Sequence, residues 1–263
     1  MKITILGCGA SNGVPVLGCK CATCTSGDPK NKRTRVSVYV EMGDLRLLID
    51  ASPDLREQAL RHNITNVNAV MFTHAHADHA GGIDELRNFN YLNDAVLPVY
   101  MDHPTYEELH GRYEYCFQPP HKQFGWFRPS LAYTPLEIGK TINIRGVNIS
   151  VFKQIHGQFI ERAVPYVTLG IRIGDFAYST DVKELPAESL AALKGVRYWV
   201  VDCLRPEPAP THSHLDLTLS WIKQISPERA WLTHMNHQME YNELKKHLPQ
   251  GVEPAYDGLS FSL

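Results

Sequence analysis

The chain has 263 residues, 43% of them hydrophobic, and a formal net charge of −2 at pH 7. A chain of this length can bury the core of one large α/β domain or of two small ones. The near balance of charge argues against a basic groove for long nucleic acid and against binding to an anionic membrane.

The first predicted element is the strand Lys2–Leu6. It resembles a core strand rather than a signal peptide, because Thr4 and the following glycines interrupt the apolar run. No apolar run reaches the ~20 residues that a membrane-spanning helix requires. We therefore expect a cytoplasmic protein with no membrane contact.

Further short β-rich runs follow along the chain. They are Val36–Val40, Leu45–Ile49, Ala69–Phe72, Val96–Tyr100, Val147–Lys153, Tyr166–Ile173, Phe176–Ser179, Tyr198–Val201 and Ala230–Thr233. Helical periodicity lies between them. It covers Pro53–His62, Gly82–Asn88, Ala187–Leu193, Leu215–Ile225 and Tyr241–Leu248. The turn Met42–Asp44 indicates an antiparallel pair, so we predict two mixed sheets with helices outside, in a single domain over residues 1–263.

An aromatic segment interrupts this order at about residues 103–134. Its aromatic residues are Tyr106, Tyr113, Tyr115, Phe117, Phe124, Trp126, Phe127 and Tyr133. The segment fits neither the helix nor the strand period, so we predict an ordered insertion. It forms either one wall of a substrate pocket, with Arg112, His121, Lys122 and Arg128 facing anionic groups, or a flap packed on its own core or on a second subunit. The second alternative leaves a homodimer open.

The densest chemical motif is T-H-A-H-A-D-H-A-G-G, at residues 73–82. It follows the strand Ala69–Phe72, and we expect a helix to begin near Gly81 or Gly82. Imidazole and carboxylate ligands together suit zinc, manganese or iron. His74 and His76 can bind one ion, and Asp78 and His79 a second. The alternative is a polar loop whose histidines face solvent.

The motif H-A-H-A-D-H resembles the H-x-H-x-D-H signature of the metallo-β-lactamase superfamily. Later segments appear in that family's order: Q-I-H-G with His156, Y-S-T-D with Asp181, and L-T-H-M-N-H with His234. The resemblance covers nearly the whole chain and implies a four-layer αββα sandwich, a mixed α/β fold with metal at the sheet edges. It also implies that His74, His76 and His156 bind one ion and that Asp78, His79 and His234 bind a second. Asp181 would bridge them.

Asp50 follows the strand Leu45–Ile49. By resemblance it orients a ligand histidine through that residue's other ring nitrogen. Alternatively, it is a helix N-terminal residue. The sequence leaves both interpretations open.

The cysteine cluster C-K-C-A-T-C holds Cys19, Cys21 and Cys24. Three thiolates are one ligand fewer than a structural zinc site requires, and in a reducing cytosol this clustering indicates metal more than disulfides. The chain resembles the phosphoribosyl cyclic phosphate phosphodiesterase branch of the superfamily. There a similar loop pairs with a histidine placed like His237, so the resemblance implies a structural Cys₃His zinc site. Reactive or incidental thiols are the alternative.

A second histidine pair lies in T-H-S-H-L-D-L, residues 211–217. By resemblance His214 is the general acid that protonates the leaving oxygen, and an imidazole suits this because its pKa lies near the working pH. His212 is the rival, and one of the two could instead hold a phosphate oxygen. Solvated histidines at the start of a helix are the alternative.

The predicted function is hydrolysis of a small or cyclic phosphodiester by metal-bound hydroxide at a dinuclear centre, with two manganese or zinc ions and one structural zinc. Asp78 counts with the catalytic residues because it makes the second metal site acidic. Three alternatives remain: a tRNA 3′-processing-type nuclease, a pyrroloquinoline quinone biosynthesis-type protein, and a metal-bearing binding protein without catalysis. We expect no long nucleic acid partner, because no basic, glycine-rich arm is visible.

Overall fold

The computed structural model describes residues 1–121, 123–157 and 165–263. Its strands, numbered along the chain, are β1 (Lys2–Gly7), β2 (Ser37–Met42), β3 (Leu45–Ile49), β4 (Ala69–Met71), β5 (Leu97–Met101), β6 (Leu131–Pro135), β7 (Thr141–Ile144), β8 (Val147–Gly157), β9 (Tyr166–Ile173), β10 (Phe176–Ser179), β11 (Tyr198–Asp202), β12 (Arg229–Thr233), β13 (Val252–Pro254) and β14 (Ser260–Ser262). The α-helices are α1 (Ala22–Thr25), α2 (Leu55–Arg61), α3 (Ala77–Ala80), α4 (Arg87–Asn93), α5 (His103–Tyr113), α6 (Ala187–Ala192), α7 (Leu215–Ile225) and α8 (Tyr241–His247).

The strands form two seven-stranded sheets, in the orders β14-β1-β2-β3-β4-β5-β6 and β13-β12-β11-β10-β9-β8-β7. Both sheets are mixed. In the first, β14 to β3 pair antiparallel and β3 to β6 pair parallel. In the second, β7 to β10 pair antiparallel and β10 to β13 pair parallel. The predicted hairpin of β2 and β3 is present in the first sheet.

The core lies mainly between the two sheets, and the alternation of side chains along each strand places it there. In β3, Leu47 and Ile49 belong to the cluster shared by both sheets. Leu48 points to the other face of its sheet, into a second cluster with Leu55 of α2 and Phe89 of α4. Helices therefore cover the outer face, and the predicted four-layer αββα fold is confirmed.

The four strands that the sequence did not predict, β6, β7, β13 and β14, are the edge strands of the two sheets. An edge strand is half-exposed, so its sequence does not need the apolar pattern of a central strand. Ser260–Ser262, for example, contains no fully buried residue and owes its place to pairing with β1.

The helix expected near Gly81 or Gly82 is present as a 3₁₀ turn over Ile83–Leu86, with Gly82 as its N-cap, and this turn leads directly into α4. The preceding turn α3 was not predicted. It begins at Ala77 with His76 as its N-cap, so Asp78 and His79 lie in a helical turn.

The prediction that the aromatic segment fits no helical period was wrong. The aromatic segment contains the regular helix α5. It begins where the Asp102 carboxylate accepts a hydrogen bond from the Thr105 N–H at 3.0 Å, a capping signal that the aromatic composition obscured.

Among the helices of the described residues, none is both long and apolar enough to cross a bilayer.

Candidate metal centre

The candidate ligands lie where strands of both sheets end. His74 follows β4, His156 lies near the end of β8, Asp181 follows β10 and His234 directly follows β12. Asp181 and His234 have φ angles of 53° and 57°, and Asp50, directly after β3, has 61°. This left-handed region is uncommon for residues other than glycine and costs about 1–2 kcal/mol per residue. Such backbone strain concentrates at functional sites.

The structure brings the predicted ligands into two groups. Within each group, the ligand atoms all lie within 4.8 Å of one another. The first group is His74, His76, His156 and Asp181. The second group is Asp78, His79, Asp181 and His234.

Asp181 belongs to both groups and turns one carboxylate oxygen to each. Its Oδ2 lies 3.7 Å from Nε2 of His74 and 3.4 Å from Nε2 of His156. Its Oδ1 lies 3.0 Å from Nε2 of His79 and 3.3 Å from Nε2 of His234. A carboxylate divided in this way can hold two cations side by side.

The Nδ1 atoms of His79 and His156 are tethered, which leaves their Nε2 atoms for a metal. His79 Nδ1 lies 2.7 Å from Oδ2 of Asp50, and His156 Nδ1 donates to the Thr211 carbonyl at 2.6 Å. A carbonyl only accepts, so the proton of neutral His156 sits on Nδ1 and Nε2 carries the lone pair. The buried Nε2 of His74 has no hydrogen-bond partner among the described residues. This donor set fits divalent metal ions.

Asp50 is fully buried and accepts both the N–H and the hydroxyl of Thr73 at 2.8 Å, besides facing His79. The structure therefore favours the first interpretation of Asp50, as a residue that orients a ligand histidine. Its contact with Thr73 also anchors the loop that carries His74.

The two groups differ in charge. Burial lowers the pKa of His74 well below its usual value and that of His156 to about 4, so the first group holds neutral imidazoles. In the second group burial is outweighed by carboxylates, chiefly Asp181, which raise the pKa of His234 to about 9 and that of His79 well above its usual range. The second group thus holds protons that a metal ion must replace.

Of the two histidines in residues 211–217, the structure places His212 at the centre. Its Nε2 lies 3.9 Å from Oδ2 of Asp181, and its ring stacks on that of His234 with the centroids 4.7 Å apart. His214 is the N-cap of α7, and within the described ranges it makes no ion pair or ring contact with the ligands. The catalytic role predicted for either residue stays a prediction.

Asp202 is a site residue that the sequence analysis missed. It is fully buried at the end of β11. Its Oδ2 lies 3.4 Å from Nδ1 of His212, and its Oδ1 lies 3.7 Å from Nδ1 of His234. The signal was available, because W-V-V-D ends a strand as L-L-I-D does at Asp50.

Tyr166, at the start of β9, was also missed. Its ring stacks on that of His76, with centroids 4.8 Å apart and planes 17° apart. Nothing in the sequence around it distinguishes it from an ordinary strand residue.

The cysteine cluster forms around α1. The sulfur atoms of Cys19, Cys21 and Cys24 lie within 4.8 Å of one another. The Cys24 N–H donates to the Cys21 sulfur at 3.4 Å and lowers the pKa of that thiol, whereas burial raises the pKa of Cys24 to about 11. Among the described residues His237 is not part of this group, so its role as fourth ligand stays a prediction.

Arg33 connects the loop of His237 to the N-terminal segment. It is 2% exposed, and its guanidinium donates to the carbonyls of Asn236, at 3.1 Å, and of Met239. A buried guanidinium bonded to two carbonyls holds these distant segments together.

The aromatic segment lies against the outer helices. Tyr115 donates its hydroxyl to Asp84 at 3.1 Å, and the indole N–H of Trp126 donates to Asp94 at the end of α4 at 2.9 Å. Phe124 and Phe127 remain 65% and 52% exposed. These contacts favour a flap or an interface over a pocket wall, although Arg112 is an exception described below. Lys122 lies outside the described residues, and a homodimer stays a prediction.

A sequence model described as the β-lactamase superfamily domain matches residues 45–235, which hold both candidate metal groups. The chain belongs to this superfamily. Its donor set is of the kind that binds divalent metal ions.

Two relatives match the chain over nearly all its length. A solved diphosphatase of the PhnP family is 33% identical, with a TM-score of 0.89, covering 100% of this chain and 97% of that one. A protein named octanoyltransferase from Porphyromonas gingivalis is 32% identical over 98% of this chain, but the match covers only 51% of that protein. The chain thus spans about half the length of this curated relative.

A third relative shows the fold alone. The zinc-bound PqqB of Methylobacterium extorquens is 19% identical, with a TM-score of 0.79, and both chains are covered over 100% of their length. The predicted resemblance to a PhnP-like branch of the superfamily is confirmed by the diphosphatase.

Proposed function

We propose that this protein hydrolyses a small or cyclic phosphodiester with two divalent cations, manganese or zinc, held in the two ligand groups. The observation that carries the proposal is Asp181, which faces each group with a different oxygen. Two cations so placed can stabilise the attacking and the leaving oxygen of a phosphoryl group and activate a water molecule near neutral pH. The likeness to a PhnP-family diphosphatase supports phosphoryl chemistry.

The protein's own residues orient the centre. His74, His76 and His156 would hold one ion, and Asp78, His79 and His234 the other. Asp50 holds the outer ring nitrogen of His79 at 2.7 Å, which aims its Nε2 inward, and Asp202 lies 3.7 Å from the outer ring nitrogen of His234. The Thr211 carbonyl does the same for His156.

We assign the general acid to His212 rather than to His214, because His212 is the one that reaches the centre. Oδ2 of Asp202 lies 3.4 Å from Nδ1 of His212, while Nε2 of His212 lies 3.9 Å from Oδ2 of Asp181. Water attacks phosphorus, the bond to the leaving oxygen breaks, and that oxygen takes the proton from His212. The products are a phosphomonoester and an alcohol, and the proton lost by the attacking water restores the acid.

We further propose that Cys19, Cys21, Cys24 and His237 hold a structural zinc ion. The three sulfur atoms are already gathered, and Arg33 holds the loop of His237 to the same end of the molecule. Thiolates that bind zinc must stay reduced, which supports the cytoplasm as the location.

The test is hydrolysis of bis(p-nitrophenyl) phosphate and of adenosine 2′,3′-cyclic phosphate by manganese- and zinc-loaded protein. Asp181→Asn should lower both rates by about a hundredfold or more, since it removes the shared ligand. Asp175→Asn, an exposed aspartate in an ion pair with Arg197, is the control. If wild type hydrolyses neither ester in any metal form, the phosphodiesterase proposal fails. Precursor tRNA, thioesters and lactones then test the other hydrolytic classes.

The same assay tests the general acid. His212→Ala should slow the cyclic ester far more than the nitrophenyl ester, because nitrophenolate leaves without protonation and an alkoxide does not. If His214→Ala shows this selective loss and His212→Ala does not, the assignment to His212 is wrong.

A further inference from the structure

Helix α5 of the aromatic segment places one arginine beside the metal-binding loop. Nη1 of Arg112 donates to the carbonyl of Ala75, the fully buried residue between the ligands His74 and His76. Nη2 donates to Oε2 of Glu108, one helical turn earlier, at 2.9 Å. The guanidinium is therefore bonded to the backbone of the centre itself.

An arginine–glutamate pair on a helix surface usually contributes only about 0.3–0.5 kcal/mol to stability, so by itself it indicates no function. Arg112 differs in having the Ala75 carbonyl as a second, buried partner. These two contacts use two of the five N–H groups of a guanidinium, and 45% of the side chain remains exposed. The Arg112 guanidinium therefore keeps N–H groups that can donate to a ligand, while its two contacts already fix its orientation.

The end of α5 lies beside the loop that carries the first ligand group, because Arg112 in its last turn donates to the Ala75 carbonyl of that loop. His212 comes from the loop after β11 in the other sheet. The centre is approached by a proton donor from one half of the fold and by a fixed cation from the other.

We propose that Arg112 binds a second phosphate of the substrate, next to the phosphate at the metal ions, so that the enzyme selects diphosphate compounds over simple diesters. The inference deepens the proposed function and rests on it. A guanidinium binds phosphate through two parallel N–H bonds, and one anchored beforehand loses little freedom on binding. The rest of the aromatic segment lies on the outer helices, so α5 is its contribution to the centre.

Two measurements on the metal-loaded protein test this inference. Calorimetry compares the binding of inorganic pyrophosphate with that of inorganic phosphate. Kinetics compares kcat/KM for adenosine diphosphate with that for bis(p-nitrophenyl) phosphate, which has no second phosphate. For Arg112→Ala we expect the preference for pyrophosphate, and the kcat/KM ratio, to fall by about tenfold or more. Arg112→Lys keeps the positive charge but not the planar guanidinium with its paired N–H groups. It should therefore retain only part of the preference for pyrophosphate and of the kcat/KM ratio.

The matched control is Arg87→Ala. Arg87 is 44% exposed and pairs with Asp84 three residues away at 3.3 Å, so it resembles Arg112 without the bond to the metal loop. Its removal should leave both ratios unchanged. Metal content of each variant shows whether the loop still binds its ions.

The inference would be overturned if Arg112→Ala weakened the binding of pyrophosphate and phosphate equally and lowered kcat/KM equally for adenosine diphosphate and bis(p-nitrophenyl) phosphate. The residue would then only hold the loop. Unchanged ratios would overturn it as well. If wild type hydrolyses neither bis(p-nitrophenyl) phosphate nor adenosine 2′,3′-cyclic phosphate, the proposed function fails. Selective binding of pyrophosphate through Arg112 would in that case still hold and would describe a binding site without catalysis.

Discussion

At the scale of single residues, the candidate metal centre gathers carboxylates in the interior, where their charge must be neutralised. Asp50, Asp181 and Asp202 are nearly or fully buried, and a buried carboxylate is stable only beside a compensating positive charge. His79 and His234 supply it as protonated rings, which is why their pKa values are raised. A metal ion can supply the same charge once these protons leave.

This competition predicts that metal affinity rises with pH. In protein stripped of metal, His234 has a pKa of about 9 and is protonated below it, whereas a metal ligand must be unprotonated. Each proton released on binding tightens the apparent affinity by about tenfold per pH unit below that pKa. Competition with a chelator at pH 6, 7 and 8 measures this, and calorimetry in two buffers of different ionisation enthalpy counts the protons. An affinity independent of pH over this range would contradict the prediction.

At the scale of elements, the site depends on how the loop before α7 lies on β8. His156, near the end of β8, donates to the Thr211 carbonyl of that loop, and the next residue is His212. Gly157 allows this contact. Its φ is 119°, and a Cβ there would lie 2.9 Å from the Pro210 carbonyl oxygen and 3.0 Å from Cα of Thr211.

Gly157→Ala should therefore displace the loop and uncouple His156 from His212. We expect a loss of about 1–3 kcal/mol in the free energy of unfolding and a marked fall in hydrolysis. Urea denaturation and the phosphodiester assay measure the two effects.

Gly174→Ala is the matched control. Gly174 also has a positive φ, 56°, but a Cβ there meets nothing within 4 Å. The control should lose free energy of unfolding only through the strained backbone conformation, and it should keep its activity. Equal effects of the two substitutions would show that backbone strain, rather than the loop contact, explains the loss.

At the scale of the whole molecule, segments distant in sequence meet beside the centre. The Met235 N–H, next to His234, donates to the Cys8 carbonyl at 2.9 Å, and the Ala10 N–H donates to the Met235 carbonyl at 3.2 Å. The proposed zinc site would join the same ends of the chain, from Cys19–Cys24 to His237. Closing so long a loop restricts the unfolded chain strongly.

Cys21→Ser should accordingly remove one zinc ion per chain and lower stability. By analogy with other cross-links over long loops, we expect a loss of about 2–4 kcal/mol. Metal analysis and thermal denaturation measure both. Lys20→Ala, an exposed change within the same loop, is the control and should alter neither. Zinc content that stays at the wild-type level in Cys21→Ser would contradict the proposed site.

Much of the fold and of the centre follows from the sequence, for a physical reason. Central strands such as β3 and β10 are buried, so their apolar runs are long and distinct, and both were predicted with the bounds observed. The ligand motif at residues 73–82 is local, and a dense local pattern of imidazole and carboxylate needs no tertiary information to be recognised.

Only the tertiary structure decided the features that arise from contacts between distant segments. The four edge strands are defined by their partners, and the four-residue helix α3 within the ligand motif is too short to show helical periodicity in the sequence. His212 and His214 have the same side chain two residues apart, so the choice between them depends on the loop that meets β8 and Asp202. Arg112 looks ordinary in the sequence, because what distinguishes it is its contact with Ala75, a residue distant along the chain that folding brings close. The sequence marks Asp202 as a strand-end aspartate, but its neighbours His212 and His234 are set by the fold.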